Sequence, residues 1–257
     1  MRVQRGSSSR AVRPSAAGAQ PRFWHATTAY LSLPGPVHGP GPPARTVLLK
    51  RRAHSSSVDT ALILAGGQSR RFGRPKSLLD IGGVPMIRRV ADVMVTLAEE
   101  ILVSVANAET EAALRSVVPE AAFAPDRRGG QGPIEGFRCG FEGARGDRVL
   151  VAPCDAPLLQ PALFRLLLDS IGERDAAVPR FDVIDPVRAV SRRKVVLDVL
   201  ASHPDVPSPS ALVDQLDAVF VDPPRLRLAD PDLSSFLDVN GPEDLEGVVR
   251  KIPAARD

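Results

Sequence analysis

The chain has 257 residues, 44% apolar and 25% charged, enough to bury a core as one large domain or two small ones. Its formal charge of +3 divides unevenly: residues 1–57 hold nine of the 33 Lys and Arg and no Asp or Glu, leaving 24 basic against 30 acidic residues from 58 onward. A mildly acidic body lacks the electrostatic footprint of a nucleic-acid binder, two cysteines exclude a disulfide framework, and no apolar run approaches the ~18 residues that span a bilayer.

Residues 1–57 are rich in Arg, Ser, Pro and Gly and hold the sole Trp (Trp24) and sole Tyr (Tyr30). Such a segment buries too little apolar surface to offset its ordering entropy, so a disordered basic extension is expected there, with a folded domain over 58–257. Three readings of the extension stay open: translation starting near Val58, an acid-free organellar transit peptide, or a basic tail that touches a partner. Three of the four histidines lie in the extension, leaving His203 alone in the body, and neither Cys139 nor Cys154 has a histidine nearby, which argues against a zinc site.

From Thr60 the texture changes. Ala61–Leu64 is a short apolar run entering Gly66-Gly67, the pattern of a buried strand and a glycine turn. Pro85 suits a first helical turn, and Met86, Ile87, Val90, Ala91, Val93, Met94 and Leu97 follow at helical spacing. Ile101–Val105 predicts a strand, Glu109–Val117 a helix, Ala121–Ala124 a short strand, Pro133–Gly143 a helix, Val149–Ala152 a strand and Gln160–Ile171 an apolar helix. Beyond Ala176 the pattern loosens: strands are expected at Val187–Val190 and Ala218–Val221, and helices at Arg192–Ala201, Pro209–Leu216 and Pro242–Lys251. Short buried strands alternating with helices predict an α/β fold, doubly wound on a mostly parallel sheet. Ligands of such sheets bind beyond the carboxyl ends of the strands, which directs attention to Gly66–Lys76, Asn107, Asp126 and Pro153–Pro157.

The richest segment is Leu64-Ala65-Gly66-Gly67-Gln68-Ser69-Arg70-Arg71-Phe72-Gly73-Arg74-Pro75-Lys76. Consecutive glycines let the backbone approach an anion and aim its N–H groups at it. Ser69, Arg70 and Arg71 add donors and positive charge, and Lys76 adds a compact ammonium suited to phosphate. Five residues separate Gly67 from Gly73 and Pro75 precedes the lysine, so this is not the phosphate loop of the Walker type, and the dinucleotide fingerprint GxGxxG is absent. Gly130–Gly136 comes near that fingerprint but is one residue too long and follows no predicted strand. The other reading is a plain turn with surface arginines, which the joint presence of arginines, serine and lysine disfavours.

Asp155 ends Val149-Leu-Val-Ala-Pro-Cys-Asp-Ala-Pro157. A carboxylate directly past a buried strand either begins a turn before Pro157 or is compensated by a cation. Mg²⁺, which takes one or two carboxylates plus phosphate oxygens, fits that position.

The loop L-A-G-G-x-S-x-R-x-G-x-x-K resembles the signature of the sugar-nucleotide and cofactor nucleotidyltransferases. Gly66-Gly67, with Lys76 followed by Leu78-Leu79, is most similar to the molybdenum cofactor guanylyltransferases, the MobA-like branch; cytidylyltransferase relatives more often have Ala at Gly66. The resemblance spans about 60–250, is specific at 64–79, good at 132–157 and 237–245, and thin between 158 and 230. It implies a Rossmann-like nucleotidyltransferase fold and transfer of GMP from GTP to the terminal phosphate of molybdopterin, with release of pyrophosphate. Molybdoenzyme apoproteins or their chaperones are the implied partners, and the cytoplasm the implied location.

Residue by residue, the resemblance implies nucleotide contacts for Leu64, Ala65, Gly66, Gly67, Lys76, Asn107 and Asp126, Mg²⁺ binding for Asp155, and catalytic charge neutralisation by Arg71, Lys76 and Asp155. Asn107 also reads as a loop cap. Glu135, in Gly132-Pro-Ile-Glu-Gly136, departs from the small residue of the family and either faces solvent or alters the base or ribose pocket. Ile184–Val190 resembles a proline-containing strand on the acceptor side. Leu237–Leu245 resembles the family's terminal N-V-N-T-P-E-E-L: Asn240 matches, Asp238 replaces the first Asn and Gly241 the Thr. Asn240 is thereby an acceptor-side candidate, or simply part of a helix start before Pro242. Two rival functions remain: a cytidylyltransferase or sugar-phosphate nucleotidyltransferase of the same superfamily, or a non-catalytic nucleotide-binding module.

Overall fold

The computed structural model describes residues 58–66, 75–128 and 132–252, so the 1–57 extension and the expected site residues Gly67 and Arg71 lie outside the described residues. The chain runs β1 (Asp59–Ala65), a 3-10 turn (Lys76–Leu78), α1 (Met86–Met94), β2 (Glu100–Val105), α2 (Ala108–Arg115), β3 (Ala122–Pro125), α3 (Pro133–Gly143), β4 (Arg148–Pro153) and α4 (Pro161–Ser170). It continues through β5 (Ala176–Pro179), β6 (Ala189–Arg192), α5 (Arg193–Ser202), α6 (Pro209–Val213), β7 (Ala218–Val221), α7 (Pro223–Ala229), a second 3-10 turn (Ser234–Phe236) and α8 (Pro242–Val249).

The sheet order is β3-β2-β1-β4-β6-β5-β7, and every strand is parallel to the rest except β6, which pairs antiparallel with β4 and β5. Strand alternation sorts the core onto two faces. Ala61, Ile63 and Ala65 of β1 pack with Ile87, Val90 and Met94 of α1 and with Leu163, Phe164 and Leu167 of α4. Leu62 faces the other way, onto Phe137 and Phe141 of α3, Val196 of α5 and Leu212 of α6. Apolar burial on both faces explains why the central strands read as continuous apolar runs rather than alternating ones. A third cluster, Leu79, Ile81, Met86, Leu158, Val239 and Val248, joins the segment after the first 3-10 turn to α8.

Pro133, Pro161, Pro209 and Pro242 each occupy a first helical turn as expected, where a missing N–H costs nothing; so does Pro223 in α7, whereas Pro85 stands one place earlier, at the N-cap of α1. At the amino ends of the strands, the buried acids are structural. Arg148 donates to both oxygens of Asp59, at 2.8 and 2.7 Å, and Glu100 accepts from Thr60 and Arg145.

Several boundaries differ from expectation. The strand expected at Val187–Val190 forms at Ala189–Arg192, because Pro186 has no N–H for the ladder and the 185–188 segment turns, with Arg188 N–H donating to the Asp185 carbonyl. β5 was hidden by its two alanines, which carry little strand propensity, yet all four of its residues are buried. The helices expected to run to Leu97 and Leu216 end at Met94 and Val213, each closing in tighter i→i+3 turns, and α7 formed where no helix was expected.

Candidate active site

The strand order reverses between β1 and β4, where their parallel carboxyl ends open a crevice. Four neighbouring strand ends deliver four of the expected residues in a row. Asp126 follows β3, Asn107 follows β2, Gly66 follows β1 and Asp155 follows β4. Ladder bonds continue into these loops: Asp126 N–H donates to the Val105 carbonyl at 2.8 Å and Cys154 N–H to that of Leu64 at 3.1 Å.

Lys76 opens the first 3-10 turn, which the buried Leu79 and Ile81 pin to the cluster shared with α8. Its ammonium reaches across the crevice: Nζ lies 2.7 Å from Asp155 Oδ2 and donates to Asn240 Oδ1 at 3.1 Å. The side chains of Lys76 and Asp155 are 18% and 21% exposed, so this pair is partly shielded yet open to a ligand. Asn240 is held in place by three backbone hydrogen bonds at and beside it. Val239 N–H donates to the Asp155 carbonyl at 2.9 Å, and Asp244 Oδ2 accepts from the N–H groups of Asn240 and Gly241 at 2.7 and 2.9 Å. Asn240 thus stands just before the start of α8, with its side chain on Lys76.

Asn107 is the N-cap of α2, its Oδ1 accepting from Thr110 N–H at 2.8 Å. This uses the oxygen that caps a helix start and leaves Asn107 at the rim of the crevice, exposed. Asp126 is half-buried. Its Oδ1 accepts from Ser104 Oγ at 3.5 Å, and its Oδ2 faces Gly66, where an added Cβ would stand 3.4 Å away. Burial, then the neighbouring Glu135 carboxylate, push the Asp126 carboxyl up to about 6, against a small pull from the Ser104 hydroxyl.

Two further groups were not singled out as site residues by the sequence reading. Arg188 is 3% exposed; it donates through Nε to the Ser235 carbonyl at 2.7 Å, pairs with Asp185 Oδ2 at 2.8 Å and with Asp238, and lies over the Phe236 ring. Because β6 runs against the other strands, its start delivers Arg188 to the same end of the sheet as Asp155. Burial pushes Asp238 up to about 6; Arg188 draws it down, while Asp155 and Asp185 push it further up. The signal for Arg188 was a charge within the apolar run Val187-Arg188-Ala189-Val190, which only paired burial explains. Clefts of about 340 Å³ beside His203 and Pro204, and about 390 Å³ beside Gln160 and Lys251, lie away from the Lys76–Asp155 pair.

The donor set around the crevice is a carboxylate and an amide oxygen, Asp155 and Asn240, with Asp238 close by. Hard oxygens without sulfur or imidazole fit Mg²⁺. Among the described residues there is no group of three His, Cys, Asp or Glu that could hold a metal ion.

A doubly wound sheet with an ammonium and a carboxylate meeting at its switch point is an α/β protein with charged groups where such sheets bind their ligands. The model of the MobA-like NTP transferase domain matches residues 61–219, and the chain belongs to that family of nucleotidyltransferases. It is 29% identical over 219 residues to the probable molybdenum cofactor guanylyltransferase of Methanosarcina acetivorans, covering 81% of this chain and 96% of the relative. It is 34% identical over 194 residues to the protein of the same description from Pelotomaculum thermopropionicum, covering 72% and 89%. Among solved structures, the molybdopterin-guanine dinucleotide biosynthesis protein A of Archaeoglobus fulgidus shares the fold with a TM-score of 0.63, at 24% identity over 74% of this chain and 97% of that one.

Proposed function

We propose that residues 58–257 form a Mg²⁺-dependent guanylyltransferase domain that joins GMP from GTP to the terminal phosphate of molybdopterin, giving the guanine dinucleotide form of the cofactor. The observation that carries this reading is the meeting of Lys76, Asp155 and Asn240 at the switch point, supported by relatives described as guanylyltransferases.

An oxygen of the acceptor phosphate forms a bond to the α-phosphorus of GTP, and the bond to the β-phosphate oxygen breaks as pyrophosphate leaves. The nucleophile is already an anion, so no Ser–His or Cys–His pair is needed, and catalysis consists of positioning and charge neutralisation. The backbone of Leu64, Ala65, Gly66 and Gly67 receives the nucleotide. Lys76, with Arg71 by its place in the sequence, offsets charge on the triphosphate. Asp155 and Asn240 would hold Mg²⁺, which supplies Lewis-acid neutralisation of the phosphate oxygens. Asp126 and Asn107 face the nucleoside from the β3 and β2 ends. Arg188 holds the Asp238–Asn240 segment on the acceptor side. No helix among the described residues is long and apolar enough to cross a membrane, and we place the reaction in the cytoplasm, with molybdoenzyme apoproteins or their chaperones receiving the product.

The test is incubation with molybdopterin, Mg²⁺ and equimolar GTP, CTP, UTP and ATP, followed by mass analysis. A guanine dinucleotide as main product supports the reading; a cytosine dinucleotide, or nucleotide binding without pyrophosphate release, overturns it.

A further inference from the structure

Glu135 lies in the first turn of α3 and is 3% exposed, so it does not face solvent. A buried carboxylate is costly unless donors surround it. The N–H of Arg128 donates to its Oε1 at 3.2 Å, the Cys139 thiol lies 3.6 Å from the same oxygen, and Arg138 Nε is 3.8 Å from Oε2. With both oxygens engaged and almost no surface left, Glu135 is unsuited to touching a base or ribose.

Its long reach is instead toward Arg128, two residues after Asp126. Between the two carboxylates the packing is close. Gly136, the neighbour of Glu135, has no room for a side chain, since an added Cβ would stand 2.7 Å from Ser104 Oγ. That hydroxyl is the one that donates to Asp126. Ser104 of β2, Asp126 after β3 and Glu135 of α3 thus converge behind the glycine turn.

We propose that Glu135 is a positioning residue: from the first turn of α3 it tethers the Asp126–Arg128 segment, aims the Asp126 carboxylate at the turn after β1, and sets the charge that carboxylate presents to the nucleotide. This rests on the nucleotide reading given above. Among the described residues the groups that act on Asp126 are Ser104 from β2 and Glu135 and Cys139 from α3. Arg127 pairs with Glu142 at 2.5 Å, and Arg138, 3.8 Å from Glu135, donates to the Leu200 and Pro204 carbonyls. Among the described residues no cation is hydrogen-bonded to Asp126; burial first, then the like charge of Glu135, raises its carboxyl to about 6, against a pull from the Ser104 hydroxyl. A nucleotide N–H or O–H donates best to the ionised form, so GTP capture strengthens as pH rises through that value.

Two variants separate tether from charge. Glu135→Gln keeps the shape and removes the charge; Glu135→Asp keeps the charge and withdraws it from Arg128. The readout is kcat and KM for GTP from pH 5 to 8. On this proposal the wild-type kcat/KM should show an acidic limb near 6. In Glu135→Gln that limb should move down, though not to the ordinary carboxylate range because burial remains, with kcat at pH 8 within about twofold of wild type. In Glu135→Asp the limb stays and KM for GTP rises about threefold or more. Titration of GTP itself is common to all three proteins and drops out of the comparison. An unmoved limb in Glu135→Gln, or an unchanged KM in Glu135→Asp, overturns the proposal. Should Glu135→Gln fail to fold by circular dichroism, Asp126→Asn replaces it: loss of the limb supports the proposal and its persistence overturns it. A wild-type protein with no saturable dependence on GTP would instead overturn the nucleotide reading, and this proposal with it.

Discussion

The ammonium of Lys76 and the carboxylate of Asp155 lie 2.7 Å apart although they leave the sheet on different strands, one from the loop after β1 and the other from the end of β4. Each neutralises the other across the crevice, and each is what a triphosphate with its cation would engage. The pair therefore holds both charges at the switch point at little desolvation cost, since it is only partly buried. Lys76→Ala and Asp155→Ala should each lower kcat by about 10²–10³-fold, the loss typical of a removed electrostatic contact to reacting oxygens. Their Tm should move little, because an ion pair of this exposure is worth about 1 kcal/mol or less. Steady-state kinetics beside calorimetry checks both halves.

Asp126 gives a stability prediction with a definite sign. Its folded carboxyl titrates near 6 against an ordinary 3.8, so its favourable contribution is complete below 3.8 and is lost as pH rises through 6. Asp126→Asn should therefore match the wild type in unfolding free energy near pH 4 and exceed it at pH 8, by about 1 kcal/mol once solvent screening of a half-buried group is allowed for. The same variant should bind GTP more weakly at pH 8. Thermal scans at the two pH values, with GTP titrations at pH 8, decide it.

Arg188 anchors the segment proposed to face the acceptor through Ser235, Asp185 and Asp238. Arg188→Met keeps the bulk but leaves two carboxylates and a carbonyl without their donor. A loss of roughly 2–3 kcal/mol is expected in denaturant unfolding, below the ~3–5 of a fully buried broken pair because Asp238 retains solvent. KM for the acceptor should rise while KM for GTP holds.

α3 packs on β1 through Gly140, where a Cβ would overlap the Leu62 side chain. Leu62 is fully buried and cannot move aside cheaply. Gly140→Ala should cost about 1–3 kcal/mol of stability by overpacking, measurable as a fall in the denaturant midpoint with unchanged slope.

Much of this was legible in the sequence, for a local reason. In a parallel sheet the reactive groups sit immediately after apolar runs, so Gly66, Asn107, Asp126 and Asp155 could be placed by reading where each run stops. The same logic failed for Arg188 and Glu135. Their meaning depends on partners far along the chain or across an element, Asp238 for the first and Arg128 for the second, and pairing at a distance leaves no periodic trace. β5 was missed because Ala176 and Ala177 have no branched side chains to announce a strand, and its pairing with β6 and β7 creates it. Asn107 and Asn240 each had a capping reading and a site reading, and both turn out to stand at helix starts as well as at the crevice.

The central claim is that a nucleotidyl group passes to the acceptor at the Lys76–Asp155 crevice. The most direct measurement follows label from GTP carrying ³²P at either the α or the γ position into molybdopterin, with the wild type and Asp155→Ala. The account predicts α label in the dinucleotide, γ label only in pyrophosphate, and near-complete loss of transfer in the variant. Transfer of γ label to the acceptor, or undiminished α transfer by Asp155→Ala, would contradict it.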